Sequence, residues 1–236
     1  MRAHPRIPDP ESTGGRITRI APQERDLERV NVFLDGAFAF GLGAELALRE
    51  GLAVGDELSA ARVGELRAAD EVGKATTAAL HVLARRPRSE REVRDRLRQK
   101  GYGADAIDAA IEKLEGWRYL DDASFARYWV ENREAHKPRG RRLLEQELRH
   151  KGVERGLVQE TIAAADLDEA GAALALGRAK LRSYAGLEPA VVRRRLGSYL
   201  ARRGYGFDVV RPVLDRLLGE REDESDPVDD APETGE

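Results

Sequence analysis

Leu97-Arg98-Gln99-Lys100-Gly101-Tyr102 recurs as Leu148-Arg149-His150-Lys151-Gly152-Val153, and again as Leu200-Ala201-Arg202-Arg203-Gly204-Tyr205. The copies stand 51 and 52 residues apart. Each reads as the end of a charged helix, with a glycine at the position where left-handed backbone closes the last turn. The longer stretches Gly101-Tyr102-Gly103-Ala104-Asp105 and Gly204-Tyr205-Gly206-Phe207-Asp208 agree at four of five positions. Asp105 and Asp208 are expected to cap the helix that follows. Self-similarity at a period of about fifty residues signals tandem copies of one helical unit.

Downstream of each glycine the apolar residues keep a helical period. They are Ile107, Ala110, Ile111 and Leu114, then Val210, Val213, Leu214 and Leu217, with a weaker middle set in Val158, Thr161, Ile162 and Ala165. Pro212 is expected in the first turn of its helix, where a missing N–H costs little. Upstream lie basic helices carrying Val93 and Leu97, Leu144 and Leu148, and Val192, Leu196 and Leu200. Ser89 and Glu92 have capping-box spacing. One more helix opens each unit, at about residues 77–85, 124–134 and 172–183. Three three-helix repeats result, over 72–120, 121–170 and 171–219. Repeats of this kind bury their faces by stacking on neighbours, which predicts an elongated array.

Before residue 72 the period is two. Residues 16–20, 29–34 and 37–40 read as strands, and Asp35-Gly36 between the last two is a type I′ hairpin signal. Gly41 and Gly43 end the third strand, and a short helix covers 44–49. Val54-Gly55-Asp56 is a turn, and Ser59 caps a helix from about Ala60. The fold class is therefore mainly α, with a small hairpin-based, three-stranded extension over 15–71. The Pro-rich residues 1–14 and the acidic residues 220–236 read as disordered.

The chain of 236 residues is 35% charged and 41% hydrophobic, enough to bury a core. It has no cysteine, which excludes disulfides and thiolate metal sites. No apolar run approaches the ~18 residues of a membrane span, and the first fifteen residues lack a signal-peptide pattern. A cytoplasmic protein with no membrane partner is expected. The net charge of −3 conceals a partition. Residues 85–151 carry +5 and 178–216 carry +7, whereas 152–177 carry −4 and 220–236 carry −8. A basic body with an acidic tail points to polyanions or an acidic partner surface; a solvated, Arg-rich helical surface is the plainer alternative.

Catalytic signals are sparse. The four histidines have no paired ligand spacing. Gly73-Lys74-Ala75-Thr76 resembles the end of a phosphate-binding loop, but Ala68 replaces its first glycine. Gly41-Leu42-Gly43 lacks the third glycine of a dinucleotide fingerprint. Asp121-Asp122 is either a carboxylate pair or a helix cap. No cofactor, metal site or enzymatic activity is expected.

The basic residues are more informative. Arg86, Arg88, Arg139, Arg141, Arg142, Arg193, Arg194 and Arg195 fall at the start of, or inside, the second helix of successive repeats. Arg98, Lys100, Arg149, Lys151, Arg202 and Arg203 fall at its end. Stacked repeats would align them as a stripe able to follow a phosphate backbone, although Glu90–Arg94 and Glu92–Arg96 spacing implies internal ion pairs. Tyr102 and Tyr205 either stack on bases or close the glycine turn. Trp117, Tyr119, Phe125 and Trp129 are expected to pack in the core.

Arg86-Pro87-Arg88-Ser89-Glu90-Arg91-Glu92-Val93-Arg94, with Leu97-Arg98-Gln99-Lys100-Gly101 behind it, resembles the first repeat of the RecX family. Leu120-Asp121-Asp122-Ala123-Ser124-Phe125-Ala126-Arg127, then Gly140-Arg141-Arg142-Leu143-Leu144-Glu145-Gln146-Glu147-Leu148, resembles its central signature. The 30–41 hairpin followed by Gly55-Asp56 resembles the extension that some members carry. The resemblance implies a non-enzymatic, monomeric regulator of the recombinase RecA. Such a regulator would lie in the groove of a RecA filament on single-stranded DNA. There it would restrain ATP hydrolysis, strand exchange and repressor self-cleavage. The alternative reading is a single-stranded DNA-binding module that makes no contact with RecA.

Overall fold

The period-two segments form strands β1 (Gly15–Gln23), β2 (Asp26–Leu34) and β3 (Ala37–Gly43), and helix α1 (Ala44–Arg49) follows. A further short strand, β4 (Glu57–Leu58), completes an antiparallel sheet in the order β3-β2-β1-β4. Asp35 and Gly36 both have positive φ, 48° and 86°, as the hairpin signal requires. The fourth strand was not expected. Two residues have no readable period; they pair only because the chain returns to the start of β1, setting Gly15 opposite Leu58 and Arg16 opposite Glu57. Ile17, Val32, Leu34, Phe40 and Leu42 line the inner face.

The computed structural model describes residues 14–223. The expected leader before Gly14 and the acidic segment beyond Asp223 lie outside them. The chain divides into two compact units, one ending at Leu120 and one beginning at Asp121.

In the first unit, Ser59 accepts the Arg62 amide at 3.1 Å and opens α2 (Ala60–Leu83), a helix of 24 residues. The sequence suggested two helices here, but α2 is continuous because Gly73 alone does not break a helix. Its first half sends Val63 and Leu66 into the sheet core, and its second half sends Ala75, Ala78 and Ala79 into the first repeat. Asp70 joins the two halves of the unit. It accepts from Arg29 at 2.8 and 3.0 Å and from the Gly43 amide at 2.9 Å, and lies 2.7 Å from Lys74. Burial pushes its carboxyl up, but these donors outweigh burial and hold it below the usual aspartate range. The first repeat continues with α3 (Glu90–Gln99) and α4 (Ala104–Gly116).

The second unit contains α5 (Asp122–His136), α6 (Arg141–His150) and α7 (Arg155–Ala164), then α8 (Glu169–Leu181), α9 (Pro189–Arg202) and α10 (Phe207–Asp223). Phe125, Leu144, Leu148, Val158 and Ile162 form one core, and Leu196, Leu200, Val213, Leu214 and Leu217 belong to the next. The fold is thus a curled antiparallel sheet domain followed by tandem three-helix repeats.

The repeated glycines behave alike. Gly101, Gly152 and Gly204 have φ of 88°, 91° and 92°. In each case the glycine amide and the next amide close the turn, as Gly101→Arg98 at 2.9 Å and Tyr102→Leu97 at 3.3 Å illustrate. The leucines that receive the second bond, Leu97, Leu148 and Leu200, are wholly buried.

Three local expectations are corrected. Gly103 is the N-cap of α4, so Asp105 sits inside the first turn, and Asp208 likewise follows Phe207 inside α10. There the acids face the positive helix end rather than capping it. Pro212 lies beyond the first turn, because α10 already begins at Phe207. Glu220 is helical rather than disordered: it pairs with Arg178 at 2.7 Å and Arg216 at 3.0 Å, which extends α10 to Asp223.

Candidate functional site

The sequence candidates for chemistry take structural roles. Gly73-Lys74-Ala75-Thr76 is helical throughout, Lys74 is held by Asp70, and the Thr76 hydroxyl donates to the Val72 carbonyl at 2.8 Å. Helical backbone turns its amides along the axis and cannot wrap a phosphate. Gly41-Leu42-Gly43 is part of β3. Asp121 caps α5, accepting the Ala123 amide at 2.9 Å and the Ser124 hydroxyl at 2.6 Å. The Ser124 bond leads the effects that lower its carboxyl below the usual range. No group of three His, Asp or Glu suited to a metal occurs among the described residues.

The fourteen basic candidates divide by what already holds them. In the first repeat, Arg86 pairs with Glu92 at 3.0 Å, Arg98 pairs with Asp95 at 2.9 Å, and Arg88 donates to the Val82 carbonyl at 3.4 Å. Lys100 is exposed and in no ion pair among the described residues. In the second repeat, the Arg139 Nε lies 3.9 Å from Glu147. Arg149 donates to the carbonyl of Glu145 at 3.4 Å, and Lys151 sits 4.1 Å over the Trp129 ring. In the third repeat, Arg193 pairs with Asp215 at 2.6 Å and Arg203 lies 5.0 Å over the Tyr199 ring. Arg142, Arg194, Arg195 and Arg202 are exposed and have no ion pair among the described residues. They can neutralise a phosphate without first breaking a protein contact.

Arg141 is different. Its guanidinium donates to the Ile162 carbonyl at 3.0 Å and lies 3.2 Å from Glu169, which also accepts the Arg141 amide at 2.9 Å. Glu169 thereby occupies the exposed-amide end of α6, whose N-cap Gly140 has no side chain to do so. Gly140 meets Gly204 directly: its amide donates to the Arg203 carbonyl at 2.9 Å, and a Cβ on Gly140 would lie 2.3 Å from Gly204 backbone atoms. The second and third repeats are locked backbone to backbone, which brings Arg139 and Arg141 beside Arg203. The sequence identified Gly204 as a turn former but neither it nor Gly140 as part of a joint, and nothing in it singled out Glu169.

Tyr205 belongs to this joint and does not stack on bases. It is 2% exposed, its hydroxyl has no hydrogen-bond partner among the described residues, and burial pushes its pKa up to about 12. Tyr102 packs against the first-repeat core and donates to the Lys74 carbonyl at 3.3 Å. Phe125 is buried and Trp129 packs against it. Trp117 and Tyr119, expected in the core, are 54% and 63% exposed. They flank Arg118, a non-glycine residue at φ 59° that ends α4.

These features define a class: a sheet domain joined to tandem three-helix repeats that carry a cationic surface. Family models match in order along the chain. Residues 15–59 match the regulatory protein RecX N-terminal domain. Residues 75–114, 121–162 and 168–214 match the first, second and third RecX three-helix domains. The chain is 34% identical to regulatory protein RecX of Clostridium botulinum (strain Eklund 17B) over 206 residues, 86% of this chain and 96% of that one. It is 30% identical to regulatory protein RecX of Bacillus subtilis over 211 residues, 89% and 80% of the two chains. A crystal structure of regulatory protein RecX superposes with a TM-score of 0.71 at 23% identity, covering 85% of this chain and 98% of that one. RecX from Lactobacillus salivarius gives 0.57 at 22% identity, covering 63% and 97%. The chain belongs to the RecX family of regulatory proteins.

Proposed function

We propose that this protein binds RecA filaments on single-stranded DNA and restrains the ATPase, strand-exchange and coprotease activities of RecA without catalysing a reaction itself. The observation that carries the reading is the ordered family match over the sheet domain and all three repeats. The free cations Arg142, Arg194, Arg195 and Arg202 support a polyanionic or acidic partner. In this reading the protein works as a cytoplasmic monomer. Its units are the extension over 15–71 and the repeats over 72–120, 121–170 and 171–219, each adding modest contacts that act together through effective concentration.

A second reading, single-stranded DNA binding without RecA contact, is favoured by the same free arginines. Titrating the purified protein into RecA-catalysed, DNA-dependent ATP hydrolysis separates them. The expected result is suppression, with tighter binding to RecA-coated than to bare single strands. Unchanged hydrolysis, with equal or weaker binding to coated DNA, overturns the RecA reading and leaves the DNA-binding one.

A further inference from the structure

Two open clefts share Lys100 and His81, the smaller on the first repeat and the larger between that repeat and the sheet domain. The smaller, of 510 Å³, is lined by Arg85, Arg88 and Arg96, and by Glu92 and Asp95, which are paired with Arg86 and Arg98. The larger, of 1190 Å³, reaches Lys113 and Trp117. Arg85, Lys100, Lys113 and Arg96 are exposed and in no ion pair among the described residues, and Arg96 donates to the Gln99 side chain at 3.2 Å. The guanidinium of Arg88 is lowered from its ordinary value, first by burial and then by repulsion from Arg86, Arg96 and Arg85, against which Glu92 is a partial offset. Positive charge is therefore crowded on this side beyond what the local acids neutralise. An anion placed there relieves the crowding.

The sheet-domain side of the larger cleft mixes both signs, with Asp26, Glu28, Glu45 and Asp70 beside Arg29, Arg49 and Lys74, and so offers no excess of positive charge. An extended polyanion gains no net attraction there, so its path stays on the Lys100–Trp117 side. Trp117 is half-exposed although a tryptophan of its size ordinarily gains by burial. It stands just before Arg118, whose left-handed backbone costs about 1 kcal/mol or more without glycine. The position closes α4, with the Arg118 amide donating to the Glu115 carbonyl at 2.9 Å and the Tyr119 amide to the Leu114 carbonyl at 2.9 Å, and this turn holds Trp117 at the helix end. A flat ring beside unpaired cations matches one ligand chemistry, a backbone of phosphates bearing unstacked bases.

We infer that these joined clefts bind single-stranded DNA, with Arg85, Arg88, Arg96 and Lys100 along the phosphates and the Trp117 ring stacked on a base. The site rests on the reading that the protein touches single strands, and it uses residues of the first repeat alone. A duplex does not suit it, because paired bases present no free face to the ring.

The chain has two tryptophans, and Trp129 is held by Glu147, Arg133 and Lys151. Trp117 fluorescence thus reports on the site. Titrating the full-length protein with a short oligothymidylate should quench emission, and Trp117→Phe should abolish most of the quenching. Trp117→Ala should weaken binding about tenfold, the scale of one lost base stack. Arg85→Glu with Arg96→Glu should weaken binding while leaving thermal unfolding in place. Oligothymidylate binding with no quenching, or with Trp117→Ala as tight as the parent, overturns this site while sparing the general reading. No binding at all at low salt overturns both. Equal quenching by duplex of the same length overturns the stacking assignment.

Discussion

Asp70 is 5% exposed and accepts from three donors on different elements. Replacing it with alanine strands Arg29, itself mostly buried, and should cost about 3 kcal/mol in urea unfolding. Its folded pKa is depressed, so its stabilisation is complete above the ordinary aspartate value near 4 and disappears as pH falls through the lowered one. Unfolding measured from pH 6 down to pH 2 should therefore steepen in the parent below pH 4 more than in Asp70→Asn. Tyr205 works at the other end of the scale. Its pKa is raised to about 12, so stability that is complete below pH 10 falls by about 2 kcal/mol as pH rises between those values. Tyr205→Phe removes a buried hydroxyl that has no partner among the described residues, and should match or exceed the parent in melting temperature while losing that alkaline decline. A clear drop in stability of this variant at neutral pH would reveal a partner for the hydroxyl.

At the scale of elements, the glycine contact between α6 and the turn after α9 determines how two repeats meet. Gly140→Ala pushes a methyl into the Gly204 backbone, which cannot rotate away as a side chain can. The expected loss is about 2 kcal/mol or more, with the hydrogen bond from the residue-140 amide to the Arg203 carbonyl broken. Gly64→Ala, on an open face of α2, is the contrast: it should stabilise by about 0.5–1 kcal/mol. Chemical denaturation of the two variants side by side distinguishes a joint from a generic helix effect. Equal behaviour would mean that the repeats separate at no cost.

For the whole molecule, the division of the cations matters more than their number. Charge reversal at Arg141 would break the bond to Glu169 and test folding. Reversal at Arg142, Arg194, Arg195 or Arg202 tests binding. Each reversal that removes a phosphate contact should flatten the dependence of log affinity on log salt by about one unit. A flat salt response in the parent would argue against any phosphate role. The acids beyond Asp223 lie outside the described residues, and their closeness in sequence to the α9 arginines leads to the expectation that they compete with an anionic partner through high local concentration. Because Glu220 is bound into α10, that effect is tested by cutting after Asp223, which leaves the Arg178 and Arg216 pairs intact. Stronger binding of the cut form at low salt, converging with the parent as salt rises, is the expected result. Identical affinities would leave the segment a solubilising role.

The local sequence was enough to define the repeat period, the three glycine turns and the Asp35-Gly36 hairpin. Each depends on backbone preferences within a few residues: left-handed φ after a helix, apolar side chains three or four apart, and two turn residues between alternating strands. Periodicity likewise identified Leu97, Leu148 and Leu200 as core. The fourth strand, the continuity of α2 and the Gly140–Gly204 joint had no such signal, since each exists only where distant segments meet. The same reason explains the site. Sequence placed fourteen cations on a stripe but could not distinguish Arg141, held by Glu169, from Arg142 beside it, which is free. It also assigned Trp117 to the core, because an aromatic residue at a helix end reads as buried until the neighbouring elements are in place. Local chemistry determined the units, whereas long-range packing determined which of their charged and aromatic groups remain available to a partner.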